Sequence, residues 1–181
     1  MQLPALSLTQ PWCEMILDPS INKNIENRVW NCHKRGIFLI HAAQGMKGEQ
    51  YRGAVEFACN VTGRAIDTGA GVRYLPLAGP LDDVVLTLPD PREVARGGIV
   101  GAAVILDVVP PDRLESNSRT RLAGAHPQAN NPWLMDGCYG FVLGKRVRLP
   151  FRAYSGRQRW FNVELTDDEE ATLRAAGLVS S

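Results

Sequence analysis

The chain has little that would staple it or load it with metal. Its 181 residues include four cysteines, Cys13, Cys32, Cys59 and Cys138, and none belongs to a CxxC pair. Cys32-His33 alone cannot build a tetrahedral zinc site. A chain of this length hides about 70% of its unfolded surface on folding, so a disulfide-stapled miniprotein is excluded. Long apolar runs are also missing. The longest, Ile99 to Val109, is broken by Gly101 and Asp107 and is far short of the roughly 20 residues that span a bilayer. The N-terminal MQLPALSLTQPW has no basic region leading into an apolar one. A secretory signal is therefore not expected, and the sequence points to a cytoplasmic protein with no membrane partner. No cofactor and no obligate protein partner is expected either. What remains, 45% apolar and 22% charged residues, is the composition of an ordinary globular domain, read here as a single one over 1–181.

An excess of one sign of charge is lacking overall but not locally. The net charge is +1, yet Gly137 to Val163 holds six basic residues (Lys145, Arg146, Arg148, Arg152, Arg157, Arg159) and no acid. Such a segment suits a polyanion, because phosphate neutralisation supplies most non-specific nucleic-acid affinity. The competing reading is the solvated face of a strand, since Arg146, Arg148 and Arg152 alternate with Val147, Leu149 and Phe151. Lys145, Arg148, Arg157 and Arg159 are the candidate nucleic-acid contacts.

Helix signals are few. Thr9 is placed to cap a short helix with Pro11 in its first turn, ending at Pro19. Tyr51, Ala54, Val55, Ala58, Cys59 and Thr62 form the apolar stripe of a helix over about 47–62, which needs a sheet to cover. Asp90-Pro91-Arg92-Glu93 suggests a short helix ended by Gly97. Thr166-Asp167-Asp168-Glu169 reads as the capping box of a terminal helix ended by Gly177, which accounts for the acidic run. Strands are expected at Leu3–Leu8, Ile25–Trp30, Gly36–Ala42, Ile99–Val109, Tyr139–Leu143, Arg146–Tyr154 and Arg159–Leu165. Gly and Pro mark loop-rich insertions at about 63–98 and 110–132. The expected architecture is α+β, built on a small, mostly antiparallel β-barrel flanked by short helices.

Two stretches combine chemistry-bearing residues. Ser7-Leu8-Thr9-Gln10-Pro11-Trp12 sets Ser7, Gln10 and Trp12 at a strand-to-helix junction, where Trp12 offers either a stacking surface or core packing. Lys23-Asn24-Ile25-Glu26-Asn27-Arg28-Val29-Trp30 runs from a turn into a strand. At period two, Asn24, Glu26, Arg28 and Trp30 share one face and Ile25 and Val29 the other. A polar face on a barrel strand means either an internal Glu26–Arg28 ion pair or a pocket in which Lys23, Glu26 and Arg28 supply a proton carrier and charged donors. His41 sits on an otherwise apolar strand, as a backbone-bonded core histidine or a pocket residue. Trp133, Tyr139 and Phe141 flank the turn after Asn130-Asn131-Pro132, with Trp133 placed to stack on a base or fill the core.

The blocks SLTQPW, KNIENR, RGIFLIHAA, GGIVGAAVILDVV, NPWLMDGCYGFVL and GRQRWFNVEL, in this order, resemble the ASCH domain, a branch of the PUA-like superfamily. The resemblance covers nearly the whole chain. It implies a small β-barrel with a cleft beside the first helix and the KNIENR strand, and an RNA-related role. Members bind or process RNA; some bacterial ones are ribonucleases, and a shorter branch deacylates N4-acetylcytidine. Lys23, Glu26 and Arg28 match the family's KxxExR motif. The deacylating branch has a catalytic threonine where this chain has Glu26, so that mechanism is not available here. Glu26 is instead suited to act as general base on water or a ribose hydroxyl, with Lys23 stabilising negative charge and Arg28 and Tyr139 assisting. Ser7 and Thr9 are alternative hydroxyls, with no base visible beside them in sequence. The expected partner is RNA or a modified nucleoside or nucleotide. The expected chemistry is metal-independent RNA cleavage, with amide hydrolysis on an N4-acylated cytidine-type nucleoside or a non-catalytic interaction module as the alternatives.

Overall fold

The computed structural model describes residues 1–78, 83–111 and 126–180. In chain order the elements are β1 (Gln2–Leu8), α1 (Trp12–Leu17), β2 (Ile25–Arg28), β3 (Gly36–Ala42), α2 (Gly48–Thr62), β4 (Ile66–Thr68), β5 (Arg73–Tyr74), β6 (Leu86–Leu88), β7 (Gly98–Val109), β8 (Tyr139–Ala153), β9 (Trp160–Glu164) and α3 (Asp167–Ala175). The class is α+β. A six-stranded sheet runs in the order β2-β8-β7-β3-β1-β9, and a three-stranded sheet in the order β5-β4-β6.

In the large sheet every neighbouring pair is antiparallel except β1 and β3, which run parallel with Ser7 opposite His41. The order is linear, so among the described residues the hydrogen-bonded ladder does not close into the expected barrel. It does curl. In a flat sheet, β2 and β1 would stand four spacings apart, about 19 Å at about 4.8 Å per strand. Yet the Arg28 guanidinium on β2 donates to the Ser7 carbonyl on β1 at 2.7 Å. The curl encloses Leu6, Phe38, Ile40 and Phe141, buried together with Ile16 of α1. Burying each such side chain contributes about 1.5–3 kcal/mol.

Local expectations differ from the structure in four places. No side chain caps α1: Trp12 N donates to the Thr9 carbonyl at 3.1 Å, and Thr9 is not the cap. The Asp90–Gly97 stretch is a single turn and not a helix: Glu93 N and Val94 N both donate to the Asp90 carbonyl, at 2.8 and 3.1 Å, and the Asp90 carboxylate accepts from the Arg92 backbone N–H at 2.8 Å, but the pattern stops there. The two strands expected at Tyr139–Leu143 and Arg146–Tyr154 are one 15-residue strand with irregular register against β7. The stretch 63–98, expected to be loop, contains the small sheet, and residues 79–82 of it, like 112–125 of the second insertion, lie outside the described residues. That small sheet is what α2 covers: Tyr51, Val55, Ala58 and Cys59 pack with Ile66, Leu86 and Leu88. The capping box of α3 forms as read, and Glu169 also holds Arg152 of β8 at 2.7 Å. No described helix is long and apolar enough to cross a membrane.

Candidate functional site

A tight turn delivers Lys23 to the interior. Asn22 N donates to the Asp18 carbonyl at 2.9 Å and Lys23 N to the Met15 carbonyl at 3.1 Å, so the chain folds back under α1. Asn22 takes a left-handed φ of 54°, a conformation that asparagine tolerates better than most residues. The Lys23 ammonium ends 5.1 Å from the centre of the Trp12 ring, donates to the Ile25 carbonyl, and lies 3.3 Å from Glu26 Oε2. Burial lowers the Lys23 pKa from the usual lysine range, and Glu26 opposes part of that fall.

Glu26 stands between two cations, with Oε1 3.0 Å from Arg28 Nε. That contact is an ion pair outside hydrogen-bonding geometry, which leaves Nε a buried donor with no hydrogen-bond partner among the described residues. Lys23, Glu26 and Arg28 share a cavity of about 220 Å³ with Ser7, Thr9, Trp12, Asn27 and Met135. The sequence motif thus converges on a cleft bordered by Trp12.

Ser7 and Arg28 also line a second, wider cavity of about 990 Å³. Ligand pockets commonly occupy about 300–1,000 Å³, so this one has room for more than a nucleobase. Its wall is formed largely by Tyr154 to Arg159, together with Trp30, His41 and Gln44. Three arginines line it, Arg28, Arg157 and Arg159, and among the described residues no carboxylate does. Arg159 lies over Trp30 at 5.9 Å, an amphipathic lip on the rim. His41 is 2% exposed, yet its ring reaches this wall, bonded to Ser7 Oγ through Nδ1 at 3.0 Å and to the Tyr154 carbonyl through Nε2 at 2.9 Å. His41 is thus bonded to the backbone and also part of the cavity lining.

Other candidates lie elsewhere. Gln10 is buried and donates to the Ala95 carbonyl at 2.9 Å while accepting from Glu14 N, a structural role between α1 and the loop before β7. Trp133 is buried against Phe57 and the α2 core and lines neither cavity. Tyr139 pairs with Arg28 across β2 and β8, but its side chain packs against the core cluster beneath α1. Arg148 is held by Glu14 at 2.7 Å, and Arg146 donates to the Lys23 carbonyl at 3.0 Å. Lys145 is exposed and, like Arg148, borders neither cavity. Of the basic segment, only Arg157 and Arg159 reach the groove. Sequence reasoning missed Tyr154 and Gly156 as groove residues and the pairing of His41 with Ser7. The available signal was that Ser7 and His41 each stand one residue before the end of an expected strand.

Among the described residues no three His, Cys, Asp or Glu side chains gather in a metal-binding cluster. Comparison with known proteins gives no matching family model and no similar curated protein.

Proposed function

We propose that the chain is an RNA- or nucleotide-binding domain of the ASCH type, with its curled sheet standing for a PUA-like barrel. The observation that carries the reading is the pair of adjoining cavities that share Arg28, the wider one lined by three arginines and, among the described residues, no acid. Phosphates suit Arg157 and Arg159, which stand exposed on the rim where water is easily displaced. A base edge suits the narrower cavity, where the side of Trp12 and the charged trio are within reach.

Within this reading Glu26 is the proton acceptor for a ribose 2′-hydroxyl. Lys23 and Arg28 flank it and face the charge that develops on phosphorus oxygens during cleavage. A single experiment separates the possibilities. Purified protein is titrated into labelled single-stranded RNA and DNA of one sequence, and the RNA and N4-acetylcytidine are then analysed for products with and without EDTA. Preferred RNA binding with EDTA-insensitive cleavage supports the full proposal. Release of acetate supports the amide-hydrolase alternative. Binding to neither polymer leaves a non-catalytic interaction module and overturns the nucleic-acid reading.

A further inference from the structure

We propose that Ser7 and His41 are a nucleophile and its base, and that the wide cavity hydrolyses carboxylic esters carrying an anionic group such as phosphate. Strand pairing creates the juxtaposition. Ser7 on β1 and His41 on β3 are register partners in the parallel pair, so their side chains leave the same face as neighbours. A bulge in the β3–β7 ladder falls between Ile40 and His41, a device that re-aims a side chain next to functional sites.

Hydrogen-bond polarity then places one proton of the pair. The Tyr154 carbonyl, 2.9 Å from Nε2, can only accept, so Nε2 carries the hydrogen. In the neutral ring Nδ1 is left with its lone pair and can accept from the Ser7 hydroxyl at 3.0 Å, for which the Arg157 carbonyl, 3.2 Å from Ser7 Oγ, is the second acceptor. The arrangement is a hydroxyl, a base able to accept its proton and a third group that orients the base. The ring is held from the other side by Phe161, with centroids 5.8 Å apart. Gly156 crosses the pair at close range. A Cβ there would stand 2.8 Å from His41 Nδ1 and 2.9 Å from Ser7 Oγ, so the chain passes only because that residue has no side chain.

The reaction balances without any co-reactant beyond water. Ser7 Oγ attacks the ester carbonyl carbon while its proton moves to His41 Nδ1. The tetrahedral intermediate, its oxyanion facing the Arg28 guanidinium, collapses as the carbon–oxygen bond to the alcohol breaks, and the alcohol leaves with the proton from Nδ1. Water, deprotonated by the same nitrogen, then releases the acid and restores Ser7. Arg157 and Arg159 supply the preference for an anionic substrate. The inference shares the groove of the nucleotide-binding reading, although its first test needs no nucleic acid.

The full chain is incubated with a fluorophosphonate probe, and the adduct is located by peptide mass. A single adduct on Ser7 is expected, absent in Ser7→Ala and formed about 10² to 10⁴-fold more slowly in His41→Gln. A chromogenic ester bearing phosphate should turn over faster than its neutral analogue, with that preference lost in the Arg157→Ala/Arg159→Ala double variant. No adduct on Ser7, or an unchanged labelling rate in His41→Gln, overturns the proposal. Should either variant fail to fold, Ser7→Cys serves: its thiol should react with iodoacetamide at least about tenfold faster than Cys138, since a neighbouring imidazole promotes the thiolate. Equal rates overturn the pair. RNA binding measured on the same preparation keeps the readings apart, because binding without an adduct removes this inference alone, and an adduct without binding removes the other.

Discussion

Lys23 Nζ lies 3.3 Å from Glu26 Oε2 with both side chains buried, so the interior holds an ammonium whose one close anion among the described residues is that carboxylate. The two partners are not equally dependent. Glu26 retains Arg28 when Lys23 is removed, whereas Lys23 keeps no counter-charge when Glu26 becomes glutamine. Breaking a buried pair typically costs about 3–5 kcal/mol. Urea denaturation is expected to show Glu26→Gln as less stable than Lys23→Met, with the Lys23→Met/Glu26→Gln double variant recovering part of the loss.

The same pair sets a pH dependence. Burial lowers the folded-state pKa of Lys23, so between that lowered value and the unfolded value of 10.5 the unfolded chain binds more protons at this site. Stability from this group therefore rises with pH up to that unfolded value. The rise should be steeper in Glu26→Gln, where the opposing attraction is gone, and absent in Lys23→Met. Denaturation midpoints of the three proteins across neutral to alkaline pH provide the check, and parallel curves would count against the assignment.

Arg148 and Arg157 are expected to behave oppositely despite sharing one basic segment. Arg157→Glu with Arg159→Glu should weaken RNA binding and reduce the salt slope by about one for each phosphate that is no longer neutralised. Arg148→Ala should leave the slope unchanged and lower stability, because the buried Glu14 carboxylate loses its partner. Anisotropy titrations over a salt series, paired with thermal melts, separate the two outcomes.

Gly101 interrupts the apolar stretch of β7 for a packing reason. A Cβ at this position would lie 2.6 Å from Leu17 Cδ2 and 2.7 Å from the Val147 carbonyl oxygen, so α1 sits on the sheet where the side chain is missing. Gly101→Ala should cost about 1–3 kcal/mol, the usual penalty of overpacking, and should disturb α1, which carries Trp12. A variant as stable as the parent would mean that α1 shifts freely.

How far the fold is legible in the sequence depends on how local its causes are. The Thr166–Glu169 capping box and the α2 stripe lie within a few residues and are readable, as is the polar face carrying Glu26 and Arg28. The small sheet is not, because β4, β5 and β6 have three, two and three residues and show no usable period. Charge in the basic segment looks free in the sequence because Glu14 lies 134 residues from Arg148 and meets it only through tertiary packing. Ser7 and His41 each stand out alone, but their partnership depends on a parallel register that hydrophobic pattern does not encode.

Catalysis gives the sharpest division between a working site and a structural one. If Glu26 moves the ribose proton and Lys23 stabilises charge, Lys23→Ala and Glu26→Gln should each remove most RNA turnover, since a positioned acid or base contributes about 10² to 10⁴-fold. Binding should not follow rate. Glu26→Gln keeps the side chain's shape and removes a negative charge beside phosphate, so RNA affinity should hold or rise while kcat falls. This separation is readable only where the variant is folded, and the stability measurements above define that range. Equal losses of affinity and rate in the folded variant would show that Glu26 serves only to organise Lys23 and Arg28, because a collapsed pocket lowers both together.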